Sequence, residues 1–83
     1  QKSVRERLAE ILLKLQDDFG TEKEGIINIT LTREELANII GTATESVIRL
    51  LSEFRTEGLV DLQGRKIKIL NIQKLKKISN VFK

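Results

Sequence analysis

The sequence predicts a mainly α-helical domain with a small antiparallel β-sheet, and three observations carry that fold class. Apolar residues recur at three- and four-residue intervals through residues 2–19, 32–57 and 72–82, the spacing of one helix face. The middle stretch is interrupted at Gly41 with N-cap chemistry on both sides of the break, so it reads as two helices across a tight turn. Residues 59–70 form two short alternating runs around Gly64, the pattern of a hairpin. At 83 residues the chain makes one small domain, 1–83, which buries only about 60% of its unfolded surface.

Taken in order, residues 2–19 predict an amphipathic helix with Val4, Leu8, Ile11, Leu12 and Leu15 on its inner face and Leu13 off that stripe. Residues 20–25, GTEKEG, have loop composition. Ile27 and Ile29 alternate with Asn28 and Thr30, which predicts a strand over 26–30. Thr32 and Glu35 have capping-box spacing, so a helix opens at Arg33 and turns Leu36, Ala37, Ile39 and Ile40 inward until Gly41. Thr42 and Glu45 repeat the spacing, and a second helix, 43–57, carries Val47, Leu50, Leu51 and Phe54 to Gly58. Ala37 is the small residue expected where the two helices cross, with Gly41 four residues on. The run LVDLQGRKIKIL turns at Gln63, Gly64 and Arg65, placing Ile67 and Ile69 on one face and Lys66 and Lys68 on the other. With strand 26–30 it completes a three-stranded sheet. Asn71 is positioned to cap a last helix, 72–82, whose Ile72, Leu75, Ile78 and Phe82 pack back. A helix pair followed by such a hairpin is a winged helix-turn-helix.

Composition excludes much. There is no histidine, cysteine, tyrosine or tryptophan, which removes most general bases, nucleophiles and transition-metal ligands, and an enzyme is not expected. Asp17 and Asp18 are adjacent on a helix, where successive side chains diverge and cannot converge on a divalent ion. No run of 18 apolar residues occurs, so no membrane span is expected, and the absence of cysteine suits a reducing cytoplasm. The chain begins at Gln1 and lacks methionine, which predicts a piece of a longer polypeptide.

The net charge of +3 conceals an asymmetry. Residues 1–31 hold five Lys/Arg against six Asp/Glu, residues 32–58 three against five, and residues 59–83 seven against one. The electropositive segment therefore follows the helix pair, as expected where phosphates are met, although a solvated lysine-rich tail gives the same count.

The runs RERLAEILLKL, LTREELANIIGTATESVIRLL and EGLVDLQGRKIKIL resemble the DNA-binding domain of the cyclic-AMP receptor protein and fumarate-nitrate regulator (Crp/Fnr) superfamily of bacterial transcription factors. The most specific piece is G-T-x-x-E-S-V-x-R-L-L, similar to the family's recognition helix. The resemblance implies sequence-specific binding to double-stranded DNA at a palindromic operator by a homodimer. It also implies a sensor domain and a dimerisation helix outside these residues, so no cofactor is expected here and a small-molecule or redox effector would act on the missing part. Contact with RNA polymerase is left open.

With Val47, Leu50, Leu51 and Phe54 inward, the outer face of the second helix is Thr44, Glu45, Ile48, Arg49 and Ser52. Arginine donates two hydrogen bonds to guanine O6 and N7 and glutamate accepts from cytosine N4, so Glu45 and Arg49 suit reading of a G·C pair or its neighbour. They also have the spacing of a simple ion pair. The resemblance assigns Thr32, Arg33 and Ser46, with the wing at Gly64 and Arg65, to phosphates, and Lys66 and Lys68 are additions by charge. The helix amino terminus from Thr42 to Glu45 offers free N–H groups to a phosphate. Three residues depart from the family pattern: Thr44 stands where some relatives have arginine, Ala43 replaces a usual hydroxyl and leaves Thr42 as the better cap, and Ile48 replaces a small or hydroxylated residue. Ile48 has two readings, a contact to a thymine methyl or an ordinary exposed isoleucine. The rival reading of the whole domain is a winged helix that binds protein, motivated by the net negative charge of the helix pair.

Overall fold

The structure, a computed structural model, describes residues 2–79. Helix α1 spans Val4–Phe19, α2 Arg33–Ile40, α3 Thr44–Thr56 and α4 Ile72–Ser79, with β1 at Val60–Gln63 and β2 at Lys66–Ile69. A short 3₁₀ turn, Lys23–Gly25, follows α1.

Helix α1 starts two residues later than the periodicity suggests, because Ser3 and Glu6 form a capping box. The Ser3 hydroxyl accepts from the Glu6 N–H at 3.1 Å and the Glu6 carboxylate accepts from the Ser3 N–H at 2.8 Å. Leu8, Ala9 and Leu12 are buried, while Val4, Ile11, Leu13 and Leu15 pack half-buried against them. Leu13 therefore belongs to the margin of the core.

Helix α2 opens with the expected box between Thr32 and Glu35, with bonds of 3.0 and 2.8 Å. It buries Leu36, Ala37 and Ile40 but leaves Ile39 52% exposed, against expectation. At 3.6 residues per turn, Ile39 lies about 100° from the centre of the stripe that the other three define. Gly41 closes the helix at φ +85°, a left-handed conformation that a side chain would strain. A Cβ on Gly41 would meet nothing within 4 Å, so only Ala37 serves the helix crossing sterically.

The cap of α3 differs from the sequence reading. Its N-cap is Ala43, not Thr42, and no side chain caps it. The reason lies in the turn: the N–H groups of both Gly41 and Thr42 donate to the Ala37 carbonyl, so Thr42 completes the end of α2 and the new helix starts one residue later. Its inner stripe is as expected, with Val47, Leu50, Leu51 and Phe54 at most 5% exposed.

Residues 26–30 are not a strand, and the sheet has two strands rather than three. Ile26 makes one isolated antiparallel bridge to Lys68, and the Ile27 N–H donates to the Ile67 carbonyl at 2.9 Å. The Asn28 N–H then turns back to the Gly20 carbonyl, so the segment curls over its own loop instead of continuing beside β2. Ile26 and Ile27 are both buried, which a regular pleat does not allow on one face. The hairpin pairs Gln63 with Lys66 and Val60 with Ile69, so Gln63 belongs to β1 and not to the turn, which has two residues with Gly64 at φ +61°.

The Asn71 side chain caps α4, accepting from the Lys74 N–H at 3.0 Å. Helix α4 packs on α1 through Leu75, with Ile78 half-buried, whereas Ile72 is 37% exposed. The predicted extension through residues 80–82, with Phe82, lies outside the described residues. One core joins all the elements, with Phe54, Leu59, Val60 and Ile67 linking α3 to the wing.

Candidate nucleic-acid interface

Because the inner stripe of α3 is buried, its opposite face is fixed in solvent. Glu45, Ile48, Arg49 and Ser52 are exposed and Thr44 and Ser46 are half-exposed. Ile48 shows 52% of its surface, as Ile39 does. Arg49 does not pair with Glu45. Its Nη1 lies 3.1 Å from the Glu53 carboxylate, one turn further on, and Glu45 has no ion-pair partner among the described residues. The uncapped start of α3 leaves the N–H groups of Thr44 and Glu45 facing outward without a side-chain acceptor.

Four groups shape the wing. Gly64 and Arg65 form its turn, and the Arg65 guanidinium has no carboxylate within ion-pair distance among the described residues. Lys66 Nζ is 3.0 Å from the Glu22 carboxylate, so one of the two added lysines is already paired. The stem of Lys68 runs beside Gly25, where an added Cβ would meet it at 3.4 Å. Arg33 does not project freely: its Nη2 donates to the Gly64 carbonyl at 2.9 Å and its Nη1 approaches the Arg65 carbonyl at 3.5 Å. Burial lowers the pKa of that guanidinium. The Thr32 hydroxyl is engaged as the α2 cap.

A third cluster escaped the sequence reading. Arg5 in α1 donates to the Glu57 carboxylate at 2.8 Å, lies 3.6 Å from Glu53 and sits 5.0 Å from the centre of the Phe54 ring. Its hydrogen bond, ahead of a smaller opposing effect of burial, holds the Glu57 carboxyl below its ordinary 4.5. Arg7 donates to the carbonyls of Ile40 and Lys2, closing the exposed end of α2. These two arginines tie the helix pair to α1. Nothing local signals them, because Arg5 and Glu57 are 52 residues apart.

Among the described residues no group of three or more His, Cys, Asp or Glu could hold a metal ion, and no helix is long and apolar enough to cross a membrane.

A family model for the Crp-like helix-turn-helix domain matches residues 6–78. The chain is 35% identical over 71 residues to the CRP-like cAMP-activated global transcriptional regulator of Mycobacterium tuberculosis, an alignment covering 83% of this chain and 32% of that protein. It is 31% identical over 85 residues to the fumarate and nitrate reduction regulatory protein of Vibrio cholerae, covering 100% and 34%. Among solved structures, a CRP/FNR-family transcriptional regulator from Thermus thermophilus superimposes with a TM-score of 0.84 at 28% identity, over 95% of this chain and 41% of that one. The chain thus spans about a third of the length of the sequence relatives it matches.

Proposed function

Since the chain belongs to the family of Crp-like helix-turn-helix domains, we propose that it is the sequence-specific double-stranded DNA-binding head of a dimeric bacterial transcription regulator, with α3 in the major groove. The observation that carries this reading is the outer face of α3, where Glu45 and Arg49 stand exposed on a helix whose other side is locked into the core. The Arg49–Glu53 pair does not oppose it. An exposed i,i+4 pair contributes about 0.3 to 0.5 kcal/mol, whereas a bidentate guanine contact contributes about 1 to 3 kcal/mol of discrimination, so exchange favours the base.

In this reading Thr44, Glu45, Ile48 and Arg49 meet base edges. Thr32, Ser46, Gly64, Arg65 and Lys68 meet phosphates, the α3 amino terminus adds the N–H donors of Thr44 and Glu45 but not that of Thr42, which is spent on the Ala37 carbonyl, and Lys66 joins them by exchanging Glu22 for a phosphate. The negative charge of the helix pair is less of an obstacle than the tally suggests. Of its five carboxylates, Glu35 caps α2 and Glu53 and Glu57 are paired with Arg5, which leaves Glu34 and Glu45. A protein-binding winged helix has no such observation in its favour.

The remainder of the proposal concerns the longer protein. It is a cytoplasmic, non-enzymatic homodimer whose effector, a small molecule or a redox signal, binds outside these residues, as the relative named cAMP-activated suggests for the first kind. Two-fold symmetry requires a palindromic operator with half-sites about 34 Å apart. The test is selection of random duplex DNA by the 83-residue chain tethered as a dimer, at low and moderate salt. A palindrome with a G·C pair that depends on Glu45 and Arg49 is expected. Binding that is absent, or indifferent to both sequence and salt, transfers the fold to protein recognition.

A further inference from the structure

Arg33 occupies the first position of α2, where a cation opposes the helix dipole and acidic residues are favoured. Helix stability therefore does not explain it. Its side chain instead crosses to a segment 31 residues away, with Nη2 2.9 Å from the Gly64 carbonyl and Nη1 3.5 Å from that of Arg65. These are the two central residues of the wing turn, whose backbone pairing ends at Gln63 and Lys66. A planar guanidinium fork suits two neighbouring carbonyls, which an ammonium, a point charge, does not bridge in the same way. The half-buried side chain and its lowered pKa mark it as partly withdrawn from solvent, unlike a cation waiting for a phosphate.

The opposite side of the hairpin is held independently. The Ile27 N–H donates to Ile67, Ile26 bridges to Lys68, and Lys66 pairs with Glu22. All three contacts come from the loop after α1 and none reaches the turn. Among the described residues, Arg33 is the side chain whose hydrogen bonds tie the turn to the helix-turn-helix.

We propose that Arg33 is a positioning residue: it latches the wing turn to the start of α2 and so presents the Arg65 side chain and the Gly64 N–H in a fixed relation to the recognition helix. Its contribution to binding passes through the wing and not through a phosphate of its own. This rests on the DNA-binding reading for its consequence, but the latch itself is a property of the free domain.

The experiment uses the 83-residue chain with Arg33→Lys and Arg33→Ala, and has two arms. In the free domain, backbone amide relaxation by NMR is expected to show Gly64 and Arg65 dropping from rigid order parameters near about 0.85 to below about 0.6 in both variants, with α2 and α3 unchanged. Unchanged turn order in both variants overturns the latch. In the second arm, affinity for the selected duplex is measured for each variant alone and combined with Arg65→Ala. Arg33→Lys is expected to lose as much as Arg33→Ala, and neither to weaken the Arg65→Ala chain further. Retained affinity in Arg33→Lys, or fully additive losses with Arg65→Ala, means a direct phosphate contact and overturns the proposal. If the wild-type chain selects no duplex, the DNA-binding reading fails while the relaxation arm still decides the latch.

Discussion

Helix α3 and the wing both flank the candidate DNA face, yet α3 is seated along its whole length by Val47, Leu50, Leu51 and Phe54, none more than 5% exposed, whereas the wing is rooted in the core only at Leu59, Val60 and Ile67 and its turn is held by the Arg33 side chain. Apolar burial scales with area and is indifferent to salt, while surface pairs are worth about 0 to 1 kcal/mol and are screened. The helix proposed to read bases therefore has a position set by the core, and the turn proposed to meet phosphates one set by replaceable polar contacts. That division suits the tasks. Base edges demand fixed geometry, and phosphates tolerate adjustment.

The largest effect that tests this contrast is expected from Phe54→Ala. Removing a fully buried aromatic ring costs about 3 to 5 kcal/mol, much of the stability of so small a domain, and urea denaturation followed by circular dichroism measures it. A loss below about 1 kcal/mol would mean that α3 is not seated by its apolar stripe. Arg49→Ala leaves that seat intact. It is expected to lower affinity for the selected site by about 1 to 3 kcal/mol and to relax discrimination at one G·C pair, read in a binding titration over base-substituted duplexes.

Arg65→Ala, by contrast, should weaken all duplexes alike and reduce the slope of log K against log salt by about 0.9, as loss of one phosphate contact does. An effect confined to one base pair would place Arg65 with the readers and break the division between helix and wing. Glu22→Gln removes the Lys66 ion pair and is expected to cost no more than about 1 kcal/mol of stability at low salt and nothing measurable at about 1 M salt.

The smallest effect concerns Arg5, the polar tie between α1 and α3. Its hydrogen bond lowers the Glu57 pKa below the ordinary 4.5, so the stabilisation is present above that value and is lost as the pH falls through the lowered folded-state pKa. An NMR titration of the Glu57 carboxyl should move up toward the ordinary value in Arg5→Gln, without change near neutral pH.

How far the sequence carried can be seen at particular residues. The inner stripe of α3 and the outward setting of Glu45 and Arg49 were legible because helical spacing assigns faces without reference to any partner. The Thr32 and Asn71 caps were legible for the same reason, being contained in four residues. The Ser3 and Glu6 box had the same signature and sharpens the start of α1. Thr42 misled because two capping signals compete across one turn, and the end of α2 used its N–H first. Residues 26–30 misled because alternation specifies a pleat but not a neighbour, and this segment meets β2 at a single bridge.

The sequence by itself thus determined the helices, most of their buried faces, the hairpin and the family, all of which depend on residues within a turn or two of one another. Only the tertiary structure decided that Arg49 leans on Glu53, that Arg5 reaches Glu57 and that Arg33 grips the wing turn. The first of these is four residues apart, but a charged side chain with two glutamates at equal distance chooses by what surrounds them. Glu53 is also 3.6 Å from Arg5, so two arginines from different helices converge on it, an arrangement that helical spacing alone does not give. The others join residues 52 and 31 positions apart, a closeness that exists only once the core has brought the helices together.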